Sequence, residues 1–149
     1  MDTTIYFLFL SVVAGIMIPF QSAMNAQLGR VLHSAYYSTL VVFLVAVCSI
    51  GVFIVCSRQA FPSIQSLSNA PVWAYGGGII GAAYILLIIV CAPKLGIGNV
   101  TVLVLLGQMI AALCIDHFGW LQSPVHAINW QRLLGVLMVA GGVYLVKKF

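Results

Sequence analysis

Three carboxamides occupy places where hydrocarbon would be expected. Gln21 and Asn25 fall within "GIMIPFQSAMNAQLGR", the later part of a run that is apolar from Ile5 onward, and Gln108 sits midway along "TVLVLLGQMIAALCIDHFG". A carboxamide donates and accepts hydrogen bonds without carrying charge. Stranded in an apolar medium it costs about 2–7 kcal/mol. Such groups therefore either hold a solute through neutral hydrogen bonds or tie helices together, the latter worth about 0.6–2 kcal/mol per bond. At helical spacing Gln21 and Asn25 lie about 40° apart, on a stripe with Ala14, Met17 and Leu28; Gln27 points away, toward the interface. Thr101 lies about 20° and Ala112 about 40° from Gln108. The two stripes are expected to line one polar cavity, which makes Gln21, Asn25 and Gln108 the candidate substrate-binding residues.

Pro19 sits two residues before Gln21. It has no N–H for the carbonyl of Gly15, and its ring crowds that turn. A kink at Gly15–Pro19 is expected, a candidate hinge of the kind that interrupted helices supply in transporters. Only two carboxylates occur, Asp2 at the terminus and Asp116. Asp116 and His117 follow the apolar run and are candidates for a gate or proton site, against the plainer reading of a solvated carboxylate that ends a helix. No acidic residue lies in mid-span, so a proton relay through a buried carboxylate has no evident carrier. Motifs of nucleophilic, zinc-dependent or nucleotide-dependent catalysis are not found. The expectation is a non-enzyme that uses no cofactor or metal.

These side chains must be positioned by membrane helices. Of 149 residues, 63% are hydrophobic and 5% charged, against about 25% charged in a soluble domain. Five segments reach the roughly 20 apolar residues that a crossing needs: about 5–28, 35–56, 71–91, 97–115 and 130–146, within one membrane domain, 1–149. Backbone groups in hydrocarbon must be satisfied internally, so the expected fold class is an all-α integral membrane protein. The N-terminal run lacks a basic start and exceeds the apolar core of a signal peptide, so it is expected to be a retained helix. Asn69 before Pro71, and Asn129, are expected to cap the third and fifth spans.

Tyr6, Tyr36, Tyr37, Trp73, Tyr75, Trp120, Trp130 and Tyr144 gather near helix ends, as an aromatic belt does. The six basic residues stand at helix ends and connections and do not cluster, which argues against nucleic acid. Arg58 and Arg132 lie on one side; Arg30, Lys94, Lys147 and Lys148 lie on the other. This is a weak bias toward a cytoplasmic C-terminus, compatible with insertion both ways round. Gly77 and Gly81, Gly107 and Ala111, and Gly141 with Gly142 are the expected helix-packing positions. Cys48, Cys56, Cys91 and Cys114 form no ligand or redox spacing and are expected to be small buried hydrophobes.

"IPFQSAMNAQLGR", "WAYGGGIIGAAYILLIIVCAPKLG", "LVLLGQMIAALCIDHFGW" and "RLLGVLMVAGGVYLV", in that order, resemble the YdcZ-type family of small bacterial inner-membrane proteins in the drug/metabolite transporter superfamily. The distinctive stretches are Pro19–x–Gln21 with Asn25, and Gly107–Gln108 with Asp116, His117, Phe118 and Gly119. The resemblance implies half of a 5+5 inverted-repeat transporter in the inner (plasma) membrane, paired as an antiparallel homodimer of dual topology or as a heterodimer with a related five-helix subunit. Four-helix relatives exchange protons against organic cations with a glutamate in the first helix. Here the comparable region offers Gln21 and Asn25, which counts against that chemistry. The expected function is small-solute transport by alternating access. A passive channel for a small solute or ion, or a non-transporting subunit of a larger complex, are the alternatives.

Overall fold

The computed structural model describes residues 3–148; Asp2 lies outside the described residues. The chain is all-α, with helices α1 (Thr3–Val31), α2 (Ala35–Cys56), α3 (Ile64–Ser68), α4 (Gly76–Leu95), α5 (Ile97–Phe118) and α6 (Trp130–Lys148). Short 3-10 turns precede α4 at Val72–Tyr75 and follow α5 at Trp120–Gln122. Among the described residues, four stretches are long and apolar enough to cross a membrane: Thr3–Val31, Ala35–Cys56, Val72–Leu95 and Ile97–Phe118. They correspond to the first four expected spans. The fifth is a helix of 19 residues whose end turns carry Gln131, Arg132 and Lys147, which shortens its apolar stretch. By contacts the chain falls into two compact units, Met1–Lys94 and Leu95–Phe149.

Helix ends follow from local chemistry. Ser34 caps α2, its hydroxyl accepting from the N–H of Tyr37 at 3.3 Å. Asn129 caps α6 as expected, Oδ1 accepting from the N–H of Arg132 at 2.8 Å. Asn69 does not cap the third span: it closes the C-terminus of α3, and Pro71, with extended backbone at ψ 138°, flanks the 3-10 turn instead. A proline biases the residue before it out of the helical region, so the helix starts after the Asn-Ala-Pro step rather than on it. The connection also holds a helix that was not expected, α3, which the Tyr75 hydroxyl ties down by donating to Leu67 O at 2.6 Å.

α1 and α2 both end in left-handed C-terminal turns. Ser34 N–H reaches Gly29 O and His33 N–H reaches Arg30 O; Gln59 N–H reaches Ile54 O and Arg58 N–H reaches Val55 O. The left-handed positions are His33 (φ 50°) and Arg58 (φ 49°), where glycine is usual. Arg58→Gly should therefore raise stability by up to about 1 kcal/mol, because relief of strain exceeds the entropy that glycine adds to the unfolded chain. Thermal unfolding in detergent checks this.

The interior of the first unit is made mostly of small or polar side chains, with Ile88 and Ile89 between them, while the outside is greasy. Ser22, Asn25, Ala26, Ser38, Thr39, Ile88, Ile89 and Ala92 are buried, whereas Phe7, Phe20, Phe53 and Ile79 are each more than half exposed. Lipid tails are as apolar as leucine, so large apolar groups gain nothing by turning inward, and close backbone approach drives association instead. Ser22, Asn25, Ala26 and Gly29 recur at i, i+3, i+4 and i+7, one seam of small side chains. Ser38, fully buried at 0%, meets this seam and donates its hydroxyl to Asn25 O at 3.1 Å. At Gly29 a Cβ would lie 2.5 Å from Ile89 Cγ2 and 3.8 Å from Ser38 Cβ. Among the described residues, no side-chain nitrogen or oxygen that is wholly shut off from the outside lacks a partner.

In the second unit, α5 and α6 pack on each other, with Val100 and Val143 buried. The expected burial of the cysteines needs correction: all four are free, Cys48 and Cys56 are exposed, and Cys91 and Cys114 are half-buried. In lipid an apolar thiol gains little by burial.

Candidate functional site

Gln21 and Asn25 come together on one groove. α1 contributes them with Met24 and Leu28, and α2 contributes Val41, Val42, Val45 and Ala46, around a volume of about 360 Å³. That lies within the range of about 300–1,000 Å³ usual for small-molecule sites. The two carboxamides are the only polar side chains in its lining. Asn25 is 7% exposed, at the edge of the packing seam, while Gln21 one turn earlier is exposed on this chain.

The side-chain hydrogen bonds within α1 run from the Ser11 hydroxyl to Phe7 O and from the Ser22 hydroxyl to Ile18 O. Neither carboxamide is engaged among the described residues, so both keep donors and an acceptor for a guest. No charged or titratable side chain lines the groove. It offers neutral hydrogen bonding in an apolar slot.

α1 runs unbroken as a helix through Pro19. Gly15, one turn before it, would meet nothing within 4 Å if it carried a Cβ. Gln108 belongs to the second unit and is exposed on α5; Thr101, half-buried two turns earlier on the same stripe, returns its hydroxyl to Ile97 O at 2.8 Å. Of the expected packing positions, Gly81 approaches another side chain, Phe43 Cζ at 3.8 Å, whereas Gly77, Gly107, Gly141 and Gly142 face open space within their own units. Ala111 is exposed.

Asp116 and His117 are tied into the α5–α6 connection. Arg132 Nη1 lies 3.4 Å from Asp116 Oδ2, and the same nitrogen reaches His126 O at 3.4 Å. The Asp116 carbonyl accepts from His126 N–H at 2.8 Å, and His117 Nδ1 accepts from Ile128 N–H at 3.2 Å. The ring of His117 meets Phe118 edge-on at 4.8 Å, and Phe118 stacks on Trp120 at 5.2 Å. Asp116 is thus an ion-paired carboxylate rather than a freely solvated one, although at 34–37% exposure the pair is worth at most about 1 kcal/mol.

Sequence reasoning missed Gly29 and Ser38, which set the α1–α2 approach, and Arg132, the partner of Asp116. The spacing Ser22–x–x–x–Ala26 with Asn25–x–x–x–Gly29 was the available signal for the seam. No spacing signals an ion pair formed across a connection.

Residues 6–145 match the model of a family described as "Putative inner membrane exporter, YdcZ". No curated protein and no solved structure matches the chain.

Proposed function

The chain belongs to the YdcZ family, described as inner-membrane exporters, and on that premise we propose that it exports a small solute held by neutral hydrogen bonds from Gln21 and Asn25. The groove carries this reading: two unengaged carboxamides on an otherwise apolar wall, one of them uncovered on the face of a membrane-crossing helix. Oil supplies no hydrogen bonds, so water, solute or a second subunit must complete that surface.

In the full reading five helices cross the membrane. α6, at 19 residues, is about 28 Å long, close to the hydrocarbon thickness of about 30 Å, with Arg132 and Lys147 extending to the headgroups. Two such chains pair in opposite orientations, or one pairs with a related subunit. Gln108 on α5 is the third carboxamide that would bind the solute, and one subunit rocks against the other with Gly15–Pro19 as the flexible point.

The test is counterflow in reconstituted vesicles, with a panel of cationic, anionic and neutral solutes. For whichever solute moves, Gln21→Leu should slow saturable transport about tenfold or more, as loss of a buried hydrogen bond to a guest does. Gln108→Leu should do the same. Unchanged transport in both variants would remove the site assignment. Linear, non-saturating flux would favour a channel. Paired C-terminal reporters, one active on each side of the membrane, test whether both orientations occur.

A further inference from the structure

The connection between α5 and α6 is fastened at both ends, and one fastening depends on the protonation state of a side chain. Asp116 O holds His126 N–H at 2.8 Å, Arg132 Nη1 reaches His126 O at 3.4 Å, and Asn129 Oδ1 holds Arg132 N–H at 2.8 Å. None of these backbone or amide partners changes charge in the neutral range. The remaining tether is Ile128 N–H donating to His117 Nδ1 at 3.2 Å. An imidazole nitrogen accepts only while it bears a lone pair, so this bond requires neutral His117 with its proton on Nε2.

We propose that His117 is a proton-operated latch: neutral, it holds the α5–α6 connection against the end of α5, and a proton taken from water onto Nδ1 releases the Ile128 end. The second state has its own support. His117 stands in the last turn of α5, where the helix dipole favours a cation. A proton on Nδ1 therefore loses the Ile128 bond but gains the field of the helix end. The charged and titratable groups at this end of the packed elements are Cys114 and Asp116 on α5, His126 in the connection and Arg132 on α6; Tyr144, Lys147 and Lys148 lie at the far end of α6. Arg132 is already paired with Asp116 at 3.4 Å, and His126 enters the connection's hydrogen bonds through its backbone.

The segment that would move is built to repack. Leu121 (φ 58°) and Gln122 (φ 63°) both sit in the left-handed region without being glycine, a conformation that persists only while its surroundings enforce it. Phe118, Trp120, Leu121 and Val125 are each more than half exposed, an apolar surface suited to the headgroup boundary. The latch is independent of which solute the chain carries.

The experiment is nuclear magnetic resonance on the full chain in detergent micelles. Two-bond couplings of the labelled imidazole should report the Nε2–H tautomer of His117 at about pH 8. The exchange protection of the Ile128 amide, with its intrinsic pH dependence divided out, should fall about fivefold as the pH is lowered from about 8 to about 5. His117→Asn places a non-titrating acceptor near the position of Nδ1 and should keep protection high and flat across that range. His117→Leu should give low protection throughout, and His126→Asn should respond as the wild type does. The proposal fails if wild-type protection does not change with pH, if the neutral tautomer is Nδ1–H, or if His117→Asn retains the wild-type response.

Discussion

Gly29→Leu should destabilise the chain by about 2–3 kcal/mol or more, the range for overpacking a site that has no room to give. Position 29 lies where α1 meets both α2 and α4: a Cβ would stand 2.5 Å from Ile89 Cγ2 and 3.8 Å from Ser38 Cβ. Ile89 is 4% exposed and Ser38 fully buried, so neither can swing aside. A leucine must push the helices apart, and separation would also break the Ser38 hydroxyl bond to Asn25 O. The matched control is Gly15→Ala, where the new Cβ meets nothing within 4 Å. That change should be neutral or stabilising by about 0.5–1 kcal/mol, since alanine is the better helix former. Ile89→Ala removes the opposing methyl, so the double variant Gly29→Ala with Ile89→Ala should recover part of what Gly29→Ala loses, a coupling of about 1 kcal/mol. Thermal or denaturant unfolding in detergent reads all five variants against the unsubstituted chain. If Gly29→Ala and Gly15→Ala behaved alike, the close approach of the helices would be wrong.

The second large effect belongs to Gly119, which ends α5 with φ 61°. Two separate costs attach to a side chain there. A left-handed conformation costs an L-residue about 1–2 kcal/mol, and more when the residue is β-branched. In addition, a Cβ would lie 2.8 Å from Val125 Cγ2. Gly119→Val should therefore lose about 2–3 kcal/mol and loosen the whole α5–α6 connection, because His126 and Ile128 reach their partners only when the chain turns back sharply after Phe118. The two costs can be divided. Val125→Ala should relieve the steric part of Gly119→Ala and leave the conformational part. Gly119→Asn should rank between glycine and alanine, because asparagine tolerates the left-handed region. An order of stability with valine above asparagine would contradict this account of the turn.

Much of the fold was legible in the sequence, for a plain reason. In lipid the backbone has almost no alternative to helix, so apolar runs of sufficient length declare both type and approximate limits. Residues 35–56 fell where the run predicted, and α1 and α4 ran three or four residues further at their C-terminal ends than the polarity break suggested. Helix ends extend into the interface while their hydrogen bonds remain satisfied, which polarity alone does not report. The helix count was harder to read, because α6 mixes a short apolar stretch with charged end turns. The packing seam was partly written in the sequence. Glycine pairs at Gly77 and Gly81 drew attention as a motif, yet the backbone approach occurs at Gly29, within a stripe that includes a serine and an asparagine. Smallness, not glycine itself, is what packing in lipid selects.

By itself, the sequence determined that this chain lives in a bilayer as helices, that its few polar side chains in the spans must find partners, and that Gln21 and Asn25 share a helical stripe. Each of these follows from the cost of polar groups in oil and from a fixed helical period, neither of which depends on which helices meet. The tertiary structure alone decided that Asn25 turns toward the seam while Gln21 stays at the mouth of the groove. It also decided that Ser38 answers the carbonyl of Asn25, and that Asp116 and His117 are bound to partners 16 and 11 residues away. Those pairings depend on where a chain returns to itself, and the composition of a helix carries no record of that.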